Sequence, residues 1–247
     1  MSNAIEVHDL RKEFLVSHSG VGSVKTLLLW WRKRQLEHLE VLKGITFEVP
    51  RGQSVAVVGR NGAGKSTLLS LLARVYKPTS GSATVIGRVA PLLELGAGFH
   101  PDLTGIENVY FNGVVLGLTR KEVEARLDSI IEFAELKRHI DAPVRTYSSG
   151  MVARLGFAIA VHVDAEVLLV DEVLAVGDME FEQKCYAAID RFRANTGSIL
   201  FVSHDLDAVR RVADRVIWLR DGVVEMDGDP VQVLDHYIKA HEGPLEG

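Results

Sequence analysis

Residues 59–67 (GRNGAGKST) have the composition of a loop that binds phosphate. The run fits the pattern G-x-x-x-x-G-K-[ST] and follows a short apolar segment, residues 53–58, that is typical of a buried strand. Glycines let such a loop curl so that successive backbone N–H groups point inward at phosphate oxygens. We therefore predict a nucleotide site formed by Gly59, Arg60, Asn61, Gly62, Ala63, Gly64, Lys65, Ser66 and Thr67.

Two side chains of this run have specific roles in phosphate chemistry. Lys65 would reach the β- and γ-phosphates, and the hydroxyl of Ser66 would bind Mg²⁺. A helix is predicted over residues 66–75, and its dipole would add positive potential at the same place. The alternative is a glycine-rich turn that fits by chance; the strand before the run and the helix after it disfavour that alternative.

Two adjacent carboxylates, Asp171 and Glu172, follow the apolar run at residues 167–170. A parallel strand buried on both faces would deliver Asp171 beside the phosphates, where it can hold the Mg²⁺ shell. Glu172 could then act as a base on an attacking water, or orient it. Adjacent carboxylates are common on surfaces, but unpaired buried charge is costly, so the end of an all-apolar strand favours the functional interpretation.

His204 follows a third apolar run, residues 198–202. Its imidazole could contact the γ-phosphate and help to fix the water. A lone histidine is more often structural, and both interpretations stay open for this residue taken by itself. Its place after another strand of the same sheet favours the catalytic one.

The predicted elements that position these residues alternate between apolar strands and helices, which indicates an α/β architecture. Residues near Ile5 and Val7 and residues 41–49 alternate apolar and polar side chains, as half-buried strands do. Residues 24–39 (VKTLLLWWRKRQLEHL) have helix-like composition. Residues 103–155 are predicted to be mostly helical and to form a subdomain set into the α/β core.

Composition narrows the classes of protein. The chain has 247 residues, enough for one large domain or a domain with an attached lobe, and its 47% hydrophobic and 25% charged residues exclude disorder. A formal net charge of −5 gives no bulk attraction for nucleic acid. Cys185 is the only cysteine, which excludes an intrachain disulfide and a cysteine-cluster metal site and fits a reducing compartment. A spanning helix needs about 20 apolar residues, so we expect no membrane crossing.

The segment at residues 146–161 (TYSSGMVARLGFAIAV) identifies the family. YSSGM, residues 147–151, resembles the LSGGQ signature of ATP-binding cassette (ABC) ATPases, and the order of P-loop, signature, VLLVDE strand, AVGD loop and VSHD histidine matches the family plan. The chain therefore resembles an ABC-transporter nucleotide-binding subunit over roughly residues 5–234. The resemblance implies a P-loop core of the ABC ATPase type, with an N-terminal antiparallel β-lobe and a helical signature subdomain at about 103–160, within a single domain of residues 1–240 followed by a short tail at 241–247.

The same resemblance implies how the signature works. Ser148 and Ser149 offer hydroxyls, and Gly150 offers an unobstructed N–H at a helix start, which together make an anion site. In the family this loop closes on the γ-phosphate held by the opposite subunit, so a head-to-tail homodimer encloses two ATP molecules. Asp178 matches the loop that crosses the same interface, and hydrolysis becomes linked to dimer opening and closing.

Departures from the common family pattern point to one subfamily. Tyr147, Ser149 and Met151 replace the usual signature residues, and the loop LLELGAGFHPDLTGIEN lacks the usual glutamine. His100 is our match for that glutamine, with Glu94 as its rival. GRNGAGKSTLL, ELGAGFHPDLTGIEN, YSSGM and DEVLAVGD together resemble the ATPase subunits that export O-antigen, capsule or teichoic-acid polysaccharides; a sister exporter or another ABC exporter remains the alternative.

The resemblance also implies an aromatic residue that stacks on adenine. Phe14 is the positional match, with Trp30, Trp31 and His38 as rivals and a plain core role for Phe14 as the other alternative. Residues 27–34 (LLLWWRKR) mix tryptophan with cations. Such a segment suits a membrane headgroup boundary, an amphipathic helix packed on the β-lobe, or contact with a membrane subunit.

The leading hypothesis is therefore an ATPase, using ATP and Mg²⁺, that drives export of a lipid-linked polysaccharide. The resemblance implies a separate membrane-spanning permease as partner and a peripheral position on the cytoplasmic face of the inner membrane. One rival is a non-transport ABC ATPase on DNA or ribosomes, which the single cassette and the net charge of −5 disfavour. Another is a nucleotide-gated clamp that hydrolyses little, which Glu172 argues against.

Several members of this subfamily carry a C-terminal sugar-binding domain of immunoglobulin-like shape. Only a short tail follows the LDHY helix before Gly247, so we expect no such domain in this chain. The polysaccharide would then be handled by the membrane partner.

Overall fold

Two sheets of different character organise the chain. The computed structural model describes residues 2–17, 36–93, 96, 98–171 and 177–241. The strands are β1 (Asn3–Ser17), β2 (Leu36–Pro50), β3 (Ser54–Val58), β4 (Ser80–Val85), β5 (Val89–Leu92), β6 (Val167–Asp171), β7 (Ser198–Val202), β8 (Arg215–Arg220) and β9 (Val223–Gly228). The helices are α1 (Lys65–Leu72), α2 (Gly105–Val115), α3 (Arg120–Ala134), α4 (Ser149–Val161), α5 (Met179–Ala194), α6 (Leu206–Val212) and α7 (Pro230–His241), with a 3₁₀ turn at Val144–Thr146.

The larger sheet has six strands in the order β5-β6-β7-β3-β8-β9. Its first five strands pair in parallel, and β9 pairs antiparallel with β8. Every residue of β3 and of β7 is buried, because helices cover both faces of a parallel sheet and such strands are apolar throughout. The α/β architecture predicted from strand–helix alternation is confirmed.

The smaller sheet is antiparallel, in the order β2-β1-β4. Its strands alternate as predicted: Ile5 and Val7 face the core, and they pair with Val49 and Phe47 of β2. These inward side chains pack with residues of β3 and α1, so the N-terminal lobe and the glycine-rich turn between β3 and α1 share one hydrophobic cluster.

One prediction is wrong at residues 36–39. We predicted helix-like structure over residues 24–39, but Leu36 begins strand β2. The backbone of residues 36–39 pairs with residues 14–17 of β1, as in Phe14 with Leu39 and Leu15 with His38. Cross-strand pairing here overrides the local composition. Residues 18–35, which include Trp30 and Trp31, lie outside the described residues.

The block predicted to be mostly helical, residues 103–155, contains the helices α2 and α3 and the start of α4. Two of them begin with a reciprocal capping box, Thr104 with Glu107 at α2 and Thr119 with Glu122 at α3. Each threonine accepts a hydrogen bond from the glutamate's N–H and each glutamate accepts one in return, which satisfies two otherwise unpaired helix N–H groups. Helix α1 is also shorter than predicted: it ends at Leu72 rather than at residue 75.

Cys185 of α5 is fully buried, and burial raises the pKa of its thiol to about 12.

Within the described residues, no helix is both long enough and apolar enough to cross a bilayer.

Phe133, on α3, joins the helical block to the α/β core. Its ring is stacked on Phe157 with centroids 6.1 Å apart, and it lies edge-on to Phe181 at 5.7 Å. Phe157 and Phe181 are both fully buried in the core cluster that covers one face of the larger sheet. Aromatic contacts of this kind add to the free energy already gained from burial.

We expect Phe133→Ala to lower the free energy of unfolding by about 3 kcal/mol, because the change opens a cavity between two packed units. Urea denaturation followed by circular dichroism measures this. Phe111→Ala is the matched control, since Phe111 is 52% exposed on the same block and its loss should change stability by only about 0.5 kcal/mol. Equal effects of the two changes on the free energy of unfolding would show that Phe133 does not join the helical block to the core.

Candidate functional site

The predicted phosphate-chemistry residues follow neighbouring strands at one edge of the larger sheet. Val57 of β3 pairs with Val202 of β7, and Val202 pairs on its other side with Asp171 of β6. Because these strands are parallel, their carboxyl ends meet at this edge. The glycine-rich loop after β3, the carboxylate of Asp171 and the turn after β7 are therefore brought together.

Two glycines of the glycine-rich loop have backbone angles and surroundings that require glycine. Gly59 has φ 155° and Gly64 has φ 102°, in the region that favours glycine. A Cβ atom on Gly59 would lie 2.3 Å from the carbonyl oxygen of Leu219, and one on Gly64 would lie 2.6 Å from Cδ2 of Leu42. Neither position has room for a side chain, so the loop is pressed against β8 on one side and β2 on the other.

Helix α1 starts directly from this loop. Its N-cap is Gly64, which carries no side chain to accept from the first N–H groups, and its first turn holds no acidic residue. Those N–H groups and the helix dipole make this end of α1 suited to an anion. Lys65 is 6% exposed, and its Nζ donates to the carbonyl oxygens of Gly59 at 2.7 Å and Arg60 at 3.1 Å. Its ammonium therefore lies against the loop, while Ser66 is exposed at the helix start.

The two predicted carboxylates differ in what the structure describes. Asp171 is the last residue of β6 and is half-buried at the carboxyl edge. Glu172 and residues 173–176 lie outside the described residues, so the role of Glu172 stays a prediction.

His204 is exposed in the turn between β7 and α6. Its neighbours shape this turn: Ser203 Oγ accepts from the N–H of Asp205 at 3.0 Å, and the Asp205 carboxylate accepts from the N–H of Asp207 at 2.8 Å. The imidazole is thus carried by a hydrogen-bonded turn at the same edge as the glycine-rich loop.

The signature residues lie at the start of α4. Ser148 is the N-cap, and its Oγ accepts from the N–H of Met151 at 3.2 Å, while Ser149 is exposed. A Cβ atom on Gly150 would meet only Ser148 Oγ, at 3.8 Å, so the backbone is open to an approaching group. Tyr147 donates its hydroxyl to the carbonyl oxygen of His139 at 2.8 Å, and burial raises the pKa of this phenol.

The signature and the glycine-rich loop belong to different parts of the larger sheet. Helix α4 packs on the outermost strand β5, whereas the glycine-rich loop follows β3, and two strands separate β5 from β3. The structure therefore groups Asp171 and His204 with the glycine-rich loop and holds Ser148, Ser149 and Gly150 on the helical block.

His100 lies on the segment that leads from β5 to α2. It is exposed, and its Nδ1 accepts from the N–H of Asp102 at 3.3 Å. Asn108 determines the shape of this segment: it is fully buried, its Oδ1 accepts from the N–H of His100 at 2.8 Å, and its Nδ2 donates to the carbonyl oxygens of His100, Leu103 and Thr104. We missed Asn108 from sequence, although an asparagine amid the apolar residues of an amphipathic helix could have indicated a buried hydrogen-bonding role.

Phe14 lies on β1, which pairs with the strand β2 that contacts the glycine-rich loop. It pairs across the sheet with Leu39, two residues from Val41, whose carbonyl oxygen would lie 3.1 Å from a Cβ on Gly64. Its ring is half-buried and lies edge-on to Tyr76 at 5.4 Å, and Lys12 Nζ is 4.8 Å from the ring centroid.

His38, the rival candidate for the adenine contact, is exposed and contacts Glu13 at 3.3 Å.

Two cavities differ in whether the predicted site residues line them. A cleft of about 210 Å³ lies against the glycine-rich loop, lined by Arg60 and Asn61 on one side and by Trp218, Arg220 and Ala240 on the other. A larger crevice of about 730 Å³ opens at the opposite, amino edge of the sheet, where its lining includes none of the predicted site residues. Residues of the glycine-rich loop therefore line the smaller cleft and not the larger crevice.

We expect Gly64→Ala to abolish tight phosphate binding and to destabilise the fold. A left-handed φ costs an alanine about 1–2 kcal/mol, and the contact with Leu42 should add about 1 kcal/mol or more. Gly62→Ala is the matched control, because φ is 84° there but a Cβ would meet nothing within 4 Å. Urea denaturation of both variants, with titration of a fluorescent ATP analogue, tests this; equal destabilisation would show that the contact with β2 is unimportant.

Comparison with known sequences agrees with this geometry. The family model described as ABC transporter matches residues 42–175. The chain is 46% identical over 245 residues to the O-antigen export system ATP-binding protein RfbB of Klebsiella pneumoniae, covering 97% of this chain and 99% of that protein. It is 37% identical to the teichoic acids export ATP-binding protein TagH of Bacillus anthracis, over 96% of this chain but 43% of that protein.

Solved structures share the fold. The dimeric post-hydrolysis structure of the ATP-binding cassette MJ0796 bound to ADP and Pi matches with a TM-score of 0.73 at 20% identity, over 92% of this chain and 98% of that chain. An ATP-binding subunit of an ABC transporter matches with a TM-score of 0.76 at 22% identity, over 98% of this chain and 96% of the other. At these identities the likeness establishes the fold alone, which is the P-loop core with a β-lobe and a helical block predicted above.

Proposed function

The chain belongs to the ABC transporter family, and on that premise we propose that it is the ATP-hydrolysing subunit of an exporter for lipid-linked polysaccharide. The observation that carries this proposal is 46% identity, over nearly the full length of both chains, to an O-antigen export ATP-binding protein. O-antigen, capsule and teichoic acid are the proposed classes of substrate. Residues 1–240 are proposed to form one nucleotide-binding domain, with its helical subdomain at about 103–160.

The phosphates of ATP are proposed to bind at the start of α1. The N–H groups that follow Gly64 and the ammonium of Lys65 supply positive potential there, and the confined positions of Gly59 and Gly64 support a backbone cradle. Phe14, on the strand β1 that pairs with β2, is the proposed adenine contact.

Mg²⁺ fits the residues present. Within the described part of the chain, no group of three or more His, Cys, Asp or Glu side chains forms a metal cage. Mg²⁺ commonly uses one or two carboxylates, with substrate phosphates and waters completing its shell. Ser66 and Asp171 would hold it, and the bound ion would neutralise charge on the phosphates.

Hydrolysis is proposed to use Glu172 and His204. Glu172 would accept a proton from the attacking water or orient it, and His204 would hold the water and the γ-phosphate in place. His100 is proposed to sit in the place of the family's loop glutamine. The hydrogen-bonded turn that carries His204 and the Asn108 network that shapes the His100 segment support these roles. Groups that are already held in position reduce the entropic part of the activation free energy of hydrolysis.

The active form is proposed to be a head-to-tail homodimer. Ser148, Ser149 and Gly150 would contact the nucleotide held by the partner, and Asp178 would lie at the same interface. The separation of the signature from the chain's own glycine-rich loop supports this arrangement, since two strands lie between β5 and β3.

A separate membrane subunit is the proposed partner, with this chain peripheral on the cytoplasmic face of the inner membrane. An apolar face of α2 supports docking: Phe111 and Val114 are each 52% exposed and Val115 is 66% exposed. With Tyr110 and Arg120 they line a shallow groove of about 460 Å³. Exposed apolar patches of this kind mark interaction surfaces. The polysaccharide would be handled by the membrane subunit.

We expect purified wild-type chain to hydrolyse ATP only with Mg²⁺, and both Lys65→Ala and Glu172→Gln to lose this turnover. Lys65→Ala removes the phosphate cation and should also weaken nucleotide binding. Glu172→Gln keeps the phosphate site and should trap an ATP-bound dimer. Phosphate release assays, titration with a fluorescent ATP analogue and light scattering separate these effects.

The same measurements can overturn the proposal. A wild-type chain that binds no nucleotide would remove the phosphate site. Tight binding without turnover, also in the presence of the membrane subunit, would favour the nucleotide-gated clamp. Unaltered turnover in Glu172→Gln would exclude Glu172 as the catalyst.

We expect Phe111→Glu to weaken association with the membrane subunit. Loss of a central apolar contact should cost about 2 kcal/mol, or about thirtyfold in affinity. Co-purification from detergent measures this, with Val75→Glu as control because Val75 is 65% exposed but lies outside the α2 groove. Equal retention of the partner by both variants would place the interface elsewhere.

A further inference from the structure

Arg154, on the signature helix α4, holds carboxylates from two other helices at once. One terminal nitrogen of its guanidinium donates to Glu135 Oε2 at 2.8 Å, and the other donates to Asp178 Oδ2 at 2.7 Å. Glu135 is the C-cap of α3, and Asp178 is the N-cap of α5. A single side chain therefore ties together the end of one helix, the body of a second and the start of a third.

The surroundings of Arg154 restrict its motion. Its side chain is 18% exposed, and its guanidinium carbon lies 4.8 Å from the centroid of the buried Phe181 ring. A Cβ atom on Gly177 would approach Arg154 Nε to 3.1 Å, so the backbone of Gly177 lies close to the guanidinium. Stacking on an aromatic ring and close backbone approach both favour one orientation of the fork.

Both carboxylates are anionic at neutral pH. Lys184 of α5 also donates to Glu135, and this hydrogen bond is the main cause that lowers the pKa of Glu135. The N–H of Phe181 donates to Asp178 and lowers the pKa of Asp178, with Arg154 contributing as well. The network of Arg154, Glu135, Asp178 and Lys184 therefore balances two cations with two anions.

We propose that Arg154 is a positioning residue that sets the spacing between the signature and Asp178. The two segments are both proposed to face the partner's nucleotide, so this inference rests on the proposed function. Ser148 starts the helix that carries Arg154, and Asp178 is one of its two carboxylate partners. If the guanidinium holds them in register, a closing dimer meets one preformed surface rather than two independently mobile loops.

Arginine is required for this role by geometry. Its planar fork presents two nitrogens to two separate carboxylates, whereas lysine offers a single point charge that can satisfy only one of them well. Methionine keeps much of the apolar stem over Phe181 but removes both hydrogen bonds. Arg154→Lys and Arg154→Met therefore form a graded pair.

We expect Arg154→Met to lower kcat for ATP by about tenfold or more, because misplacement of site groups by about 1 Å can cost on the order of 100-fold. ATP-dependent dimerisation in the Glu172→Gln background should weaken in parallel. The affinity of the monomer for a fluorescent ATP analogue should stay the same, because Arg154 lies on the signature helix and not at the glycine-rich loop. Arg154→Lys should recover part of kcat.

Arg193→Met is the matched control. Arg193 is 29% exposed and pairs with Asp214 at 2.8 Å, so its loss removes a comparable ion pair far from the signature. Glu135→Gln provides a second route to the same network without touching a residue proposed to face nucleotide. It should lower kcat in the same direction, with less than additive effect when combined with Arg154→Met.

The outcomes distinguish a failure of the proposed function from a failure of the positioning role of Arg154. If wild-type chain neither binds ATP nor dimerises, the proposed function fails. If wild-type chain is active and Arg154→Met matches Arg193→Met in kcat and dimerisation, the positioning role is wrong. It is also wrong if Arg154→Met loses monomer nucleotide affinity as strongly as kcat. Should Arg154→Met fail to fold, Arg154→Lys and Glu135→Gln decide by the same comparisons.

Discussion

The position of β3 between β7 and β8 is the constraint on which the site depends. All five residues of β3 are buried, and the chain must turn sharply where the strand ends. At Gly59 the turn presses so closely on β8 that a side chain atom would lie 2.3 Å from the Leu219 carbonyl oxygen. The glycine-rich loop is thereby attached to the sheet that also carries Asp171 and His204, and the register of Val57 with Val202 sets their relative height.

A second level of organisation lies away from that edge. The helical block carries the signature and is joined to the core at two kinds of contact: an apolar one through Phe133, and a charged one through Arg154. The apolar joint supplies adhesion with little directional preference, whereas the charged one depends on the direction of each donor. A block held in this way can be firmly attached while its orientation is determined by a few polar atoms.

The parts of the site that were predictable from sequence are those encoded locally. The glycine-rich loop, Asp171 and His204 each follow an apolar strand directly, so composition and order were sufficient to place them at one edge. The helix-like prediction was wrong for residues 36–39, because their strand conformation depends on pairing with β1, a partner distant in sequence. Arg154 was missed for a related reason: its role arises from contacts made only after helices pack, as with Asp178, 24 residues away. Asn108 was missed although its hydrogen-bond partners all lie within eight residues of it in the sequence. Glu172 lies outside the described residues, and its role stays a prediction.

The burial of Cys185 makes the chain convenient for site-directed spectroscopy. A thiol with a pKa of about 12 and no exposed surface carries almost no thiolate at neutral pH, and thiolate is the form that reacts with maleimides and spin labels. Since it is the only cysteine in the sequence, a cysteine introduced at an exposed position would be the sole reactive one without any change to the native core. Pairs of probes on the β-lobe and the helical block could then report distances between these units during turnover.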